Sequence, residues 1–532
     1  MSTDAVTDRP AAPSAWDPLR IAAFRSLWLA LLASNIGTWM QTVGAQWLLV
    51  EESGTDTLVA VVQTASTLPI LLLALPAGAL ADTFDRRRLL LAVQLFLTAV
   101  GVLLTALTFT GHMPPALLLT LTFVLGAGQA VTGPAWQSVI PELVPRPQLA
   151  SASALGAISM NLARAVGPAV AGLLIARTGT GVVFALNTVT FALFAVALMR
   201  WRPTATRSTG APERFAAAVR SGSRYVRHSP VVRRILLRAG LFLVPGSALW
   251  ALLPLVASRG LGLGSGGYGV LLGAVGIGAV AGALLLPRMR ARWSLNRLLL
   301  IASTGFAVVL ALLVLVPSEY AVVAALLPAG VAWVMVLSSV NAAMQLFLPN
   351  WVRARGLAVY QMVFAGAQAA GALVWGVLSD VWGLRTTHLI AAALMLAGVV
   401  TLRWWPMRDT SDMNREPAVF WPEPHLELDP SDDDGPVLVM SRYPVSREHE
   451  TAFVEAMERV RLSRLRTGAL RWGLFRDGAD PSRFVEAYVV PSWGEHLRQH
   501  TGRLTGTDQE IEEYALSLAD GPAEVSHLVS AR

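Results

Sequence analysis

The chain has 532 residues, of which 54% are hydrophobic and only 14% charged, with a mean hydropathy of +0.53. This composition excludes an ordinary soluble domain and fits a chain that crosses a bilayer repeatedly. The net charge of +7 conceals a split, +17 over residues 1–408 and −10 over 409–532, so no nucleic-acid partner is expected, and the absence of cysteine excludes disulfides and thiolate metal centres.

The first 20 residues are polar and Pro-rich with no apolar core, so no cleavable signal peptide is expected. Apolar runs bounded by charge, Pro or Gly place twelve spans at 25–50, 57–81, 89–110, 115–139, 150–176, 181–200, 235–257, 268–287, 298–316, 320–346, 357–381 and 386–405. Arginine sets their orientation, since the N-terminal segment and the turns after even-numbered spans hold 25 arginines and the opposite turns hold 3, at 177, 259 and 385. Both termini are therefore expected in the cytoplasm and the protein in the bacterial inner membrane.

The second and third spans are joined by Gly78-Ala79-Leu80-Ala81-Asp82-Thr83-Phe84-Asp85-Arg86-Arg87-Arg88. Gly78 permits close helix approach, Asp82 can cap a helix or face a positive helix end, and Arg86 lies four residues on, within pairing reach. In the fifth span Arg164 shares a helical face with Asn161 and Gly167-Pro168, and a cation at that depth is expected to face a cavity or to pair with backbone carbonyls. Polar and aromatic residues line up at helical spacing as Asn35, Thr38, Gln41 and Thr42, as Gln129, Thr132 and Trp136, and as Gln361, Phe364 and Gln368. They suit a cavity for bulky amphipathic ligands, although each amide also suits interhelical bonding. No acid lies near the middle of a span, which leaves Asp82, Glu142 and Asp380, all at span ends, as candidate proton carriers.

Ten arginines fall over 200–238, from the end of the sixth span to the start of the seventh, and divide the chain six plus six. There, Pro212-Glu213 can open an amphipathic helix with Phe215, Val219 and Val226 opposite Arg214, Arg220, Arg224 and Arg227, suited to an anionic leaflet or to a solvated linker, and Ser229-Pro230 reads as the start of the next helix. The halves repeat: at a shift of 204, Gly167, Gly172, Leu174 and Gly179 fall on Gly371, Gly376, Leu378 and Gly383.

Residues 409–436 are acidic and Pro-rich and read as a linker. Beyond them, strands at 437–443, 469–475, 484–490 and 524–529 alternate with helical stretches at 446–466 and 492–519. That βαββαβ order predicts a ferredoxin-like α+β domain on the cytoplasmic side. Trp472, Trp493, His496 and His500 could line a pocket, but the two histidines, at i and i+4, are an incomplete metal pair, so no metal site, cofactor or catalytic residue is expected.

Gly78-x-Leu80-Ala81-Asp82-x-x-x-Arg86-Arg87 between the second and third of twelve repeated spans resembles the loop signature of the major facilitator superfamily, whose nested repeats and midplane site are a general pattern. Asp85 stands where that signature has glycine. Arg164, Gly167, Pro168 and Gly172 resemble its antiporter motif, with Ala154, Ala163 and Ala171 in place of glycines. Thr38-Trp39-Met40-Gln41, Asn161 to Pro168 and Trp493 to His500 resemble the drug/proton antiporter branch that includes the enterobactin exporter and the transmembrane secretion effectors. The tail is similar to the dimeric domains of antibiotic-biosynthesis monooxygenases. The resemblance implies an all-α membrane protein with twelve helices in two halves, a gating cluster at Gly78, Asp82, Asp85, Arg86 and Arg87, and export of a drug, siderophore or secondary metabolite by alternating access against protons. It also implies dimerisation through 437–532. The competing expectation is a membrane-anchored sensor or monooxygenase-like enzyme acting through the tail. The domain limits that follow are a tail at 1–24, halves at 25–200 and 235–408, a basic loop at 201–234, a linker at 409–436 and the α+β domain at 437–532.

Overall fold

The computed structural model describes residues 16–52, 55–202, 215–410, 412–422 and 426–531, apart from the side chains at 74, 75, 78, 79, 81–83, 146, 150 and 215–219. Long apolar runs fold as helices because every backbone polar group can then be satisfied within its own segment. The helices are α1 (Ala22–Glu52), α2 (Asp56–Thr83), α3 (Arg86–Phe109), α4 (Pro115–Leu143), α5 (Leu149–Thr178), α6 (Thr180–Arg200), α7 (Phe215–His228), α8 (Pro230–Leu255), α9 (Ser265–Arg292), α10 (Leu295–Leu315), α11 (Glu319–Phe347) and α12 (Asn350–Val400). Among the described residues, 10 helices are long and apolar enough to cross a membrane, against the twelve spans expected. The difference lies in α1, whose amides and hydroxyls dilute its apolar character, and in α12, which merges two expected spans into one 51-residue element.

The chain forms two compact units, the first comprising Met1–Gly210, Ala239–Ser339 and Gln361–Arg403, the second Ala211–Arg238, Val340–Tyr360 and Trp404–Arg532. Within the first unit the internal repeat is visible in the backbone. Gly179 (φ 83°, ψ 171°) separates α5 from α6, and Gly383 (φ 78°, ψ 160°) breaks α12 at the matching place. A left-handed φ is open to glycine at no steric cost, which is why both positions carry it. The contacts repeat as well: Gly167 lies against Ile36 and Trp39 of α1 as Gly371 lies against Val244 and Ser247 of α8, and Gly172 meets Gly269 of α9 as Gly376 meets Thr57 and Ala60 of α2. A Cβ on Gly172 would fall 2.5 Å from the Gly269 Cα, so this crossing requires a residue without one.

The second unit holds a four-stranded antiparallel sheet of β1 (Val437–Pro444), β2 (Arg471–Arg476), β3 (Arg483–Val490) and β4 (Glu524–Val529) in the order β2-β3-β1-β4. Alternation in β1 turns Val437, Val439 and Tyr443 to the buried face. Phe453, Met457 and Val460 of α13 (Glu450–Thr467) pack on Tyr443 and Phe484, and α14 (Trp493–Arg498) and α15 (Gly506–Leu516) complete the layer. Ser229 accepts a hydrogen bond from Val232 N at 3.4 Å, so the expected start of α8 is confirmed five residues ahead of the span placed at 235. The expected amphipathic helix is present as α7, which packs on α13 with Tyr225 buried edge-on to Trp351, while Pro212, Glu213, Arg214 and the side chains of Phe215 and Val219 lie outside the described residues. One expectation is corrected here. The acidic segment is not a solvated spacer, because its Arg415 caps the end of α11 at Phe347 O (2.9 Å), its Asn414 O accepts from Thr507 N (2.9 Å) and its Asp432 O accepts from Gly494 N (3.0 Å).

Candidate functional site

In the first unit, three segments from both halves meet at the start of α2. Thr55 stands at the N-cap with no side-chain bond, and the missing acceptor comes from another helix. Asp380 of α12 accepts from Asp56 N at 2.7 Å, from Thr57 N at 3.0 Å and from the Thr57 hydroxyl. The Asp56 carboxylate in turn accepts from Ser379 Oγ at 2.6 Å and pairs with Arg259, just beyond α8. Asp56 is buried, and two carboxylates at a helix N-terminus are favoured by its unpaired N–H groups and its dipole. Sequence reasoning singled out Asp380 but passed over Asp56 and Arg259. The available signal was an acid in the first turn of a span and a lone arginine in its outer turn.

The halves also join deeper in the bundle. Thr64 Oγ1 donates to Ala369 O at 2.8 Å, Gln46 Nε2 to Trp250 O at 3.1 Å, and the Tyr268 hydroxyl to Gln46 Oε1 at 2.7 Å. Each bond crosses from the first half to the second.

At the charged turn, Asp85 caps α3 by accepting from Arg88 N at 2.8 Å, so the acid standing in place of glycine does the work of an N-cap. Arg86 pairs with Glu142 of α4 at 2.7 Å, and Arg87 donates to Leu198 O and Met199 O at the end of α6, each at 2.8 Å. The surroundings of Gly78 and the side chain of Asp82 lie outside what is described, and among the described residues Arg86 pairs with Glu142. This brings one candidate proton carrier, Glu142, to the charged turn.

On α5 the Arg164 guanidinium lies 5.3 Å from the Trp39 ring centroid and its Nε has no hydrogen-bond partner, leaving donor capacity for something else. Asn161 is exposed and bonds its own helix at Ala157 O. Asn35 Nδ2 donates to Ser159 Oγ (3.0 Å) and Gln129 Nε2 to Thr38 Oγ1 (3.1 Å), linking α1 to α5 and α4. Gln41 is buried and receives Asn187 of α6, so it serves as interhelical bonding, and Trp136 sits in the core with Phe24, Leu143 and Phe194. Gln361 is exposed, whereas Gln368 is buried with an unpartnered Oε1.

In the second unit, Arg464 is buried between Glu486 (3.1 Å) and Glu512 (2.7 Å), and Tyr443 and Trp472 also donate to Glu486. Burial pulls the Arg464 pKa down, but the two carboxylates outweigh it and hold the net value above normal. Burial, with Glu486 beside it, pushes the Tyr443 phenol well up. A cavity of about 680 Å³ opens between helix ends and tail, lined by Trp351, Arg353, Arg415 and Leu504 among others. Trp472 belongs to the Glu486 network, while Trp493, His496 and His500 lie together in an aromatic cluster.

The profile of a family described as transmembrane secretion effector matches residues 13–532. The chain belongs to that family. Among curated proteins, this secretion effector is 27% identical over 391 residues, 70% of its chain and 93% of the relative, to the multidrug efflux pump Tap of Mycolicibacterium fortuitum. It is 24% identical to the staphyloferrin A transporter of Staphylococcus aureus, over 48% of its chain and 64% of the relative. It is also 24% identical to macrolide efflux protein A of Streptococcus pyogenes, over 44% and 58%. Among solved structures, a bacterial homologue of the human lysosomal transporter Spinster, inward-facing and unoccupied, superposes with a TM-score of 0.57 at 15% identity over 73% of this chain and 95% of that one. The nucleoside transporter NupG superposes at 0.57 and 13% identity over 72% and 100%. The secretion effector is thus a multi-pass membrane transporter of the major facilitator kind.

Proposed function

We propose that this transporter has twelve spans and exports small organic molecules across the cytoplasmic membrane by alternating access, in exchange for protons, with both termini in the cytoplasm. The twelve are the ten apolar helices, α1, and the division of α12 at Gly383 into two. The four-stranded sheet with its helices is a ferredoxin-like cytoplasmic domain that regulates the exporter or dimerises it.

The observation that carries this reading is the Asp56–Arg259–Asp380 cluster, placed by the arginine bias at the outer face. It clasps the two repeated halves by hydrogen bonds and one ion pair, bonds that a rocking motion can break and remake, while the glycine crossings beneath it close the outer half of the pathway. This is the arrangement of a transporter closed to the outside. Opening outward must break the cluster, and protonation of Asp380, whose two oxygens accept three hydrogen bonds here, would remove its charge and turn one oxygen into a donor, weakening the clasp and coupling proton entry to outward opening. Asp82 and Glu142 remain the carriers at the other face, where Gly78, Asp85, Arg86 and Arg87 form the gate.

Drugs and a siderophore appear in the names of the relatives, and this supports a mid-sized amphipathic organic substrate. Arg164, with Asn161, Gly167, Pro168 and Gly172 on its helix and Asn35, Thr38, Gln361 and Gln368 on neighbouring helices, supplies the polar contacts of the central pathway. The test is uptake of a compound panel by inside-out vesicles with and without an imposed proton gradient. Gradient-driven accumulation of at least one compound is expected, and flux independent of the gradient would remove proton exchange from the mechanism.

A further inference from the structure

The sequence shows two histidines one helical turn apart, and the fold brings a third to them. His496 lies on α14, His500 on the π-helical turn Gln499–Arg503, and His527 on the edge strand β4, where it pairs with Val439 of β1. One ring nitrogen from each lies within 4.8 Å of the others, and Nε2 of His496 is 3.2 Å from Nε2 of His500. We propose that His496, His500 and His527 form a binding site for a divalent first-row transition metal of the Zn²⁺ class.

Three features beyond proximity point there. Around a tetrahedral ion with metal–nitrogen bonds of about 2.0–2.1 Å, ligand nitrogens stand roughly 3.3–3.4 Å apart, close to the separation of His496 and His500. The tautomer of His496 is fixed by its neighbour. Gln499 is fully buried and its Nε2 donates to Thr467 Oγ1 at 3.1 Å, which turns its Oε1 toward His496 Nδ1 at 3.3 Å. Thr467 Oγ1 already donates to Ser463 O at 2.8 Å and so must accept from the amide. Nδ1 of His496 therefore carries the proton, and Nε2 presents its lone pair to the other two rings, as an outer-shell partner does at imidazole metal sites. The third feature is the wall. Trp493 lies tilted 5.4 Å from His496 and edge-on 6.0 Å from His527, and Trp421 lies edge-on 4.8 Å from His500, so the cluster is dry on those sides.

Neutral imidazole is the ligating form, and the Nδ1-protonated tautomer fixed by Gln499 gives His496 that form. His527 is only half-buried, so the fourth coordination position faces solvent and is open to water or to another donor. Three imidazoles favour Zn²⁺, Co²⁺, Ni²⁺ or Cu²⁺ over Mg²⁺ or Ca²⁺. An ion there ties the edge strand to α14 and stiffens the tail.

The full-length protein, purified in detergent and stripped with a chelator, is titrated with Co²⁺ and followed by its visible d–d absorption, then competed with Zn²⁺. One Co²⁺ per chain with the intense spectrum of a tetrahedral site is expected, displaced by Zn²⁺ but not by Mg²⁺. His527→Ala and His500→Ala each weaken binding by at least about 10–100-fold, the loss typical of removing even an outer-shell partner, and His112→Ala leaves it unchanged. Because the chain has no cysteine, His527→Cys gives an independent readout, with binding retained and a new sulfur-to-cobalt charge-transfer band. Co²⁺ affinity equal in wild type and His527→Ala, or no charge-transfer band in His527→Cys, overturns the assignment.

Discussion

Replacing Asp56 by alanine should shift the transporter toward its outward-open state. The substitution removes the ion pair to Arg259, whose side chain is 47% exposed, so solvent screening limits that pair to about 0.5 kcal/mol. It also removes the carboxylate that Ser379 donates to. Ser379 is buried, and a hydrogen bond to a charged acceptor is worth about 1.5–3 kcal/mol. Because these bonds exist only while the halves are clasped, about 2 kcal/mol is lost from the closed state alone, roughly a 30-fold rise in the outward-open population. The absence of cysteine supplies the assay. A single cysteine at Thr42, in the C-terminal half of α1 that the proposed orientation turns outward, is labelled in intact cells with a membrane-impermeant maleimide, with and without Asp56→Ala. The labelling rate should rise by about 10–30-fold. A rate within twofold of the parent, at equal membrane expression, would mean that the cluster does not hold the outer face closed.

Arg164→Ala should reduce export at least about tenfold without reducing membrane expression if the unpartnered Nε contacts substrate as proposed; wild-type accumulation of every compound in the panel would refute this. Arg464→Ala strands Glu486 and Glu512 in the tail and should cost that domain about 3–5 kcal/mol, seen as proteolysis of 437–532 at concentrations the parent resists. The tail should also weaken in acid when metal is chelated. His496 and His500 are held by burial at about 3 and about 4, below their unfolded value near 6.5, so the unfolded chain binds more protons. Their contribution is complete above about pH 6.5 and declines as pH falls toward 4. The urea midpoint of the tail, followed by tryptophan fluorescence, should therefore drop between pH 7 and pH 5, and a flat profile would show that the rings are hydrated in the folded state.

The sequence by itself determined what depends on local periodicity. Length and apolarity placed the helices to within a few residues, since a span must satisfy its own backbone in lipid. Alternation and turn residues placed the four strands of the tail along the chain, while their order in the sheet, with Glu524–Val529 at an edge, came from the structure. The match of Gly179 to Gly383 marked a duplication that the two left-handed φ values then bear out. Ser229-Pro230 announced the start of α8, and Asp85 in place of glycine signalled a changed cap. Tertiary structure alone decided who meets whom. Arg86 reaches Glu142, 56 positions away, and Asp380 finds its donors 323 and 324 positions away on α2. Gln41 and Trp136 had the spacing of a ligand face, but α6 packs where that cavity would be. His527 sits in a strand whose local pattern says only that it alternates. It joins His496 and His500 because β4 must add beside β1 to complete the sheet, a pairing fixed by long-range hydrogen bonds and burial that no short window of sequence contains.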